Sequence, residues 1–123
     1  MVNSFDLDGV IYLGPGRTGV FPGPDDIIIT GRSWEEALET DRMLSDRGIN
    51  NEVYYNPLKY NQKTRETSGE HKARVITAKG VEIHFEDDEV QAEVIRKRCP
   101  NCTVVILCHN LTNKENQRQE EFR

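Results

Sequence analysis

Ser4-Phe5-Asp6-Leu7-Asp8-Gly9-Val10-Ile11-Tyr12 is the stretch that decides how the rest of the chain is read. Two carboxylates, Asp6 and Asp8, stand one residue apart at the end of the short apolar run from Val2 to Leu7, and Gly9 follows at once. Residues i and i+2 of a strand point to one face, so this spacing aims both acids the same way. Gly9 then ends the strand and lets the backbone approach a ligand closely. Two such charges about 4 Å apart repel by about 4 kcal/mol at an effective dielectric of roughly 20. A fold keeps the pair when a cation or a shared proton relieves it, and an all-oxygen site of this kind suits Mg2+. A bare Asp-x-Asp-Gly is also the pattern of an acidic turn after an edge strand. The remaining elements must choose between the two.

Downstream, strand patterns and helix patterns alternate. Gly14 to Pro24 is rich in Gly and Pro, too short for a domain, and suited to a hairpin flap over the strand ends. Asp26-Ile27-Ile28-Ile29-Thr30 is a continuous apolar run, the pattern of a parallel strand buried on both faces. Ser33 and Glu36 form a capping box. The helix they start turns Trp34, Ala37, Leu38 and Leu44 to one side and stops at Gly48. Asn51 to Tyr55 reads as a third strand. The polar loop from Asn56 to Thr67, with Lys59, Lys63 and Arg65, leads to a helix from about Ser68 to Lys79 that Gly80 ends. Val81 to Phe85 alternates as a strand does and runs into Glu86-Asp87-Asp88. Strand alternation turns Glu86 away from the side of the other acids. Asp88 reads equally as the cap of the helix through Arg98 and as a residue behind the site. Pro100 ends that helix and Thr103 to Cys108 is a fifth strand. A core over residues 1–109 is thus followed by a polar tail from Asn110 to Arg123.

A chain of 123 residues is one domain, able to bury roughly two thirds of the surface it exposes when unfolded. The hydrophobic share of 36% beside a charged share of 30% fits a small domain with a thin core. A net charge of −5 argues against a nonspecific nucleic-acid clamp driven by counterion release. Acids arrive by residue 6 and no apolar run has membrane length, so a soluble, cytoplasmic protein without a membrane partner is expected. Cys99-Pro100-Asn101-Cys102 has the spacing of a metal knuckle or a redox pair. A zinc site needs two more ligands, for which only Cys108 and His109 stand near, and a redox motif follows a strand whereas this one precedes it. Reduced thiols around a turn are the expectation. His71 and His84 read as ordinary surface or sheet residues.

The alternation implies an open parallel α/β sheet, in which ligands bind beyond the carboxyl ends of the strands. Polar groups converge there: Asp6 and Asp8 after the first strand, Thr30 after the second, Asp87 and Asp88 after the fourth, and Lys72 on the preceding helix. Phe5-Asp6-Leu7-Asp8-Gly9-Val10, Ile27-Ile28-Ile29-Thr30-Gly31-Arg32, Lys72 and Phe85-Glu86-Asp87-Asp88 resemble, in that order, the four signature motifs of the haloacid dehalogenase-like phosphohydrolases. The resemblance runs from the first strand through the fifth. It implies a Rossmann-like five-stranded parallel sheet in order 3-2-1-4-5 with helices on both faces. Caps in this family are inserted after the first or second motif, and neither interval here holds enough unassigned sequence for one. A capless member with an open site is implied.

The resemblance also implies roles. Asp6 is the nucleophile of an aspartyl-phosphate, and Asp8 the general acid and base. Mg2+ is held by Asp6, the Asp8 backbone carbonyl and Asp87, with Asp88 a further candidate. Thr30 and Lys72 neutralise the transferring oxygens. Arg17 in the flap and Arg32 after Thr30-Gly31 are candidate substrate contacts, since a guanidinium fits a phosphate bidentately. This pair is similar to the phosphatase domain of polynucleotide kinase-phosphatases, where Ser stands in place of Thr30. A phosphate-ester substrate is therefore expected, a nucleotide or nucleic-acid 3′ end first and another small phosphate ester as the alternative. A phospho-accepting receiver module would carry an acid after the third strand, where Tyr55-Asn56-Pro57 has none. An inert binding domain of the same fold is the other rival, and the intact Asp6 and Asp8 weigh against it.

Overall fold

A strand buried on both faces needs helices above and below it, and the chain supplies them in turn. The computed structural model describes residues 1–108. Strands β1 (Val2–Phe5), β2 (Ile27–Ser33), β3 (Val53–Asn56), β4 (Val81–Glu86) and β5 (Thr103–Ile106) form one sheet in order β3-β2-β1-β4-β5. Every pairing is parallel. The topology is that of a Rossmann-like α/β sheet, as expected. Helices α1 (Ala37–Asp46), α2 (Arg65–Lys79) and α3 (Glu89–Arg98) make three of the four crossovers, with a short 3-10 turn, Trp34–Glu36, ahead of α1, and the β1–β2 connection carries no helix. No helix among the described residues is long and apolar enough to cross a membrane. The tail from Asn110 to Arg123, and His109 with it, lies outside the described residues.

Two apolar clusters sandwich the sheet. On one face Ile27, Ile29 and Val81 pack with Ala73 and Ile76 of α2 and Ile95 of α3. On the other, Phe5, Leu7 and Ile28 pack with Leu44 of α1 and Ile49. The run Ile27-Ile28-Ile29 therefore serves both clusters, which is why it shows no alternation. Each fully buried isoleucine contributes about 2 kcal/mol of hydrophobic stabilisation. Helices α2 and α3 approach closely at Gly69, where an added Cβ would lie 2.9 Å from Val94 Cβ.

Several boundaries differ from the sequence reading, each for a local reason. The Ser33 capping box caps the 3-10 turn rather than α1 itself. That tighter turn rotates Trp34 off the helix stripe, and both Trp34 and Leu38 end up exposed while Leu44 is buried. Helix α2 starts at Arg65, three residues early, because Thr64 and Thr67 cap each other's backbone N–H in a box lacking the usual Glu. β1 stops at Phe5, although the Asp6 N–H still donates to Phe85 O at 2.9 Å. The chain then turns sharply, with the Leu7 carbonyl accepting from Ile11 and Tyr12. A flap follows, closed by an antiparallel bridge between Tyr12 and Thr18 and tied to α1 through Arg47, whose guanidinium donates to the Arg17 carbonyl at 2.9 Å.

Candidate active site

Asp6 leaves the central strand at its carboxyl end with 2 % of its surface exposed. Its Oδ1 accepts from the Leu7 N–H at 2.8 Å and from Lys72 Nζ at 2.8 Å. Lys72 comes from the middle of α2 and is completely buried. A buried ammonium is tolerable only when paired and hydrogen-bonded. Lys72 meets that condition twice, since its Nζ also donates to Glu86 Oε1 at 2.7 Å.

Glu86 is where the sequence reading is corrected. Strand alternation was expected to turn it away, yet it faces Lys72 and Asp6. The register explains this: Ser4 is opposite His84 and Phe5 opposite Phe85, so Glu86 at the end of β4 shares the face of Asp6. Asp87, used to set the alternation, already lies beyond the strand, where period two no longer holds. Glu86 Oε1 also accepts from His84 Nε2 at 3.1 Å, and its Oε2 accepts from the N–H groups of Asp87 and Asp88 at 3.2 and 3.3 Å.

Carboxylate oxygens of Asp6, Glu86 and Asp87 all lie within 4.8 Å of one another. Asp87 reaches this group across Gly9, whose φ is +84°. A Cβ built on Gly9 would lie 1.7 Å from Asp87 Oδ2, so the turn after β1 and the loop after β4 meet only because residue 9 has no side chain.

The other candidates sort differently. Asp8, half-buried, is held by Arg32, which donates from Nε to Oδ2 at 2.9 Å and from Nη2 to Oδ1 at 2.6 Å. Its carboxylate is thus not among the three clustered acids. Arg32 also donates to Thr40 Oγ1 at 3.2 Å and lies over the Tyr12 ring. Thr30, fully buried at the end of the Ile run, accepts the Arg32 N–H on its hydroxyl at 3.0 Å, which leaves the hydroxyl proton to be donated. Asp88 is the cap of α3: Oδ1 accepts from Val90 and Gln91 N–H, and Arg65 pairs with both its oxygens at 2.9 and 3.1 Å. Of the two roles open to Asp88, capping is the one it fills, and its carboxylate is not among the three clustered acids. Arg17 is exposed on the flap.

No family model, curated protein or solved structure matches this chain. What the arrangement can do chemically therefore rests on its own geometry. Three carboxylates confront one ammonium, and the donors are oxygens only. A hard divalent cation such as Mg2+ fits such an all-oxygen set. Glu86 accepts from Lys72, His84 and two backbone N–H groups and anchors the cluster, with the carboxylates of Asp6 and Asp87 beside it.

Glu86, His84 and Ser4 are the site residues that sequence reasoning passed over. One signal was available: His84 and Glu86 stand two apart on a strand, as Ser4 and Asp6 do, so the two pairs share a face if the strands are neighbours in register. The remaining perturbed groups lie elsewhere. Burial holds the His71 imidazole down at about 4, where its Nε2 donates to the Tyr54 carbonyl under β3. Burial and the neighbouring Asp41 push the Tyr55 hydroxyl above the usual tyrosine range. Cys99, Cys102 and Cys108 are free thiols, with Cys102 raised by burial.

Proposed function

We propose that this chain is a magnesium-dependent phosphohydrolase of the haloacid dehalogenase-like kind, acting through an aspartyl-phosphate on Asp6. The observation that carries the reading is the buried Asp6–Lys72 pair at 2.8 Å beside the Asp87 carboxylate, at the carboxyl edge of a 3-2-1-4-5 parallel sheet. Phosphate monoesters hydrolyse extremely slowly unaided, so such a site must position a nucleophile in line and absorb charge.

This chain's residues divide that work. Asp6 attacks phosphorus, the ester oxygen leaves, and water later attacks the same phosphorus to release phosphate and regenerate the carboxylate. Asp8 gives the leaving oxygen its proton and takes one back from the water, with Arg32 fixing its carboxylate. The ammonium of Lys72 spends two N–H bonds on Asp6 and Glu86 and turns the third to a phosphoryl oxygen. Thr30 donates its hydroxyl to another. Asp6, the Asp8 carbonyl and Asp87 would hold Mg2+, which would supply the charge that lets an anionic nucleophile meet an anionic phosphate.

The substrate we place first is a nucleotide or nucleic-acid 3′ end, because Arg17 on the flap and an uncapped rim admit a chain terminus. Another small phosphate ester is the alternative, favoured by the engagement of Arg32 with Asp8. Hydrolysis of 4-nitrophenyl phosphate should require Mg2+, stop with EDTA and be lost in Asp6→Asn. Metal-independent turnover, or full activity in Asp6→Asn, would overturn the reading. A panel of 3′-phosphorylated oligonucleotides, 3′- and 5′-nucleotides and sugar phosphates then separates the substrates.

A further inference from the structure

Beneath the proposed nucleophile runs a continuous buried chain of polar groups that the reaction described above does not use. Ser4 Oγ lies 2.6 Å from His84 Nδ1, His84 Nε2 lies 3.1 Å from Glu86 Oε1, and that same oxygen accepts from Lys72 Nζ, which holds Asp6. Ser4, His84, Glu86 and Lys72 have no exposed surface at all. Ser4 and His84 are direct partners in the β1–β4 register, so backbone pairing brings these two side chains together.

We infer that His84, oriented by Ser4, is a positioning residue that fixes the Glu86 carboxylate and through it holds Lys72 on Asp6. Donors and acceptors fix the arrangement. A carboxylate cannot donate, so His84 Nε2 gives its proton to Glu86, while Nδ1 on the other side of the ring pairs with the Ser4 hydroxyl. The ring plane is thereby set. Two donors on Glu86 Oε1 and two backbone donors on Oε2 leave the carboxylate one orientation. Remove His84, and Lys72 keeps its charge but loses the fixed acceptor that aims it. Outer partners of this kind typically cost about ten- to a hundredfold in activity or metal affinity when removed. An apolar residue would fill this core position as well, so simple packing does not account for an imidazole there.

The inference rests on the proposed hydrolase for its kinetic consequence, but its structural content is read separately. His84→Leu should lower kcat on 4-nitrophenyl phosphate about tenfold or more with KM little changed, because His84 touches no substrate. His84→Gln, whose amide again donates toward Glu86 and accepts from Ser4, should recover most of the loss. Ser4→Ala, a smaller change that keeps the fold if His84→Leu does not, should release the ring plane and reduce kcat more mildly. Independently of activity, nitrogen NMR of the wild type should show His84 protonated at Nε2 and a slowly exchanging Lys72 ammonium, lost in His84→Leu and kept in His84→Gln. Wild-type kcat together with an unchanged Lys72 signal in His84→Leu overturns the inference. A wild type without turnover whose Lys72 signal still depends on His84 contradicts the hydrolase and upholds the positioning chain.

Discussion

Arg32 and Asp8, twenty-four residues apart, meet in a two-pronged contact, Nε to Oδ2 at 2.9 Å and Nη2 to Oδ1 at 2.6 Å. The arginine expected to bind substrate is thus spent on the proposed general acid. Arg32→Ala and Arg32→Lys should both reduce kcat about tenfold, since an ammonium cannot reproduce the planar fork. Melting temperature should move little, because a partly exposed pair contributes about 1 kcal/mol or less. Steady-state kinetics decide: an unchanged kcat with a raised KM would make Arg32 a substrate contact instead.

Lys72 lies completely buried between two acids. Lys72→Met leaves Asp6 and Glu86 facing each other without a counter-charge, and breaking a buried pair in this way costs about 3–5 kcal/mol. Urea unfolding should register that loss. Added Mg2+ should restore more stability to the variant than it adds to the wild type, since the ion then carries the compensation alone. A loss under about 1 kcal/mol would mean that the three side chains are not coupled as described.

His71 gives a pH dependence of known sign. Its folded-state value is lowered from 6.5 to about 4, chiefly by burial, with Lys72 and Arg74 acting in the same direction against the hydrogen bond to Tyr54. Between these values the unfolded chain takes up a proton that the folded chain refuses. The contribution is therefore fully present above the unfolded value and is lost as pH falls from about 6.5 toward about 4. The total is on the order of 3 kcal/mol. Denaturation midpoints between those limits should fall more steeply for the wild type than for His71→Gln. Parallel curves would contradict the assignment.

Gly9→Ala tests the crossing of the two acid-bearing loops. The added methyl meets the Asp87 carboxylate, and the positive φ costs about 1–2 kcal/mol besides. Far-UV circular dichroism should be retained while Mg2+ no longer raises the melting temperature. An undiminished Mg2+ response would remove Asp87 from the site.

Much of this was legible because it depends on period and order. The Ile27-Ile28-Ile29 run announced a doubly covered strand, and three successive strand–helix alternations announced a parallel sheet. Asp6 and Asp87 fall just past strand ends and Lys72 on the helix between β3 and β4, so topology alone gathers them, whereas β2 runs on past Thr30 to Ser33. What stayed hidden depends on register and partner choice. Ser4 and His84 carry no motif, and only the pairing of β1 with β4 brings them together. Glu86 was misdirected by extending strand alternation to Asp87, one residue past the last ladder pair. Asp8 and Asp88 look alike in sequence, yet each is claimed by a different arginine distant in the chain, Arg32 of β2 and Arg65 at the start of α2. Trp34 and Leu38 were assigned inward because a 3-10 turn is not distinguishable from a first helical turn by spacing.

Borohydride trapping during turnover of a phosphate monoester, followed by peptide mass mapping, addresses the nucleophile itself. A phosphorylated carboxylate is reducible whereas a free one is not, so Mg2+-dependent reduction is expected at Asp6 and nowhere else. Reduction at another acid, or turnover with no reducible carboxylate at all, would contradict it.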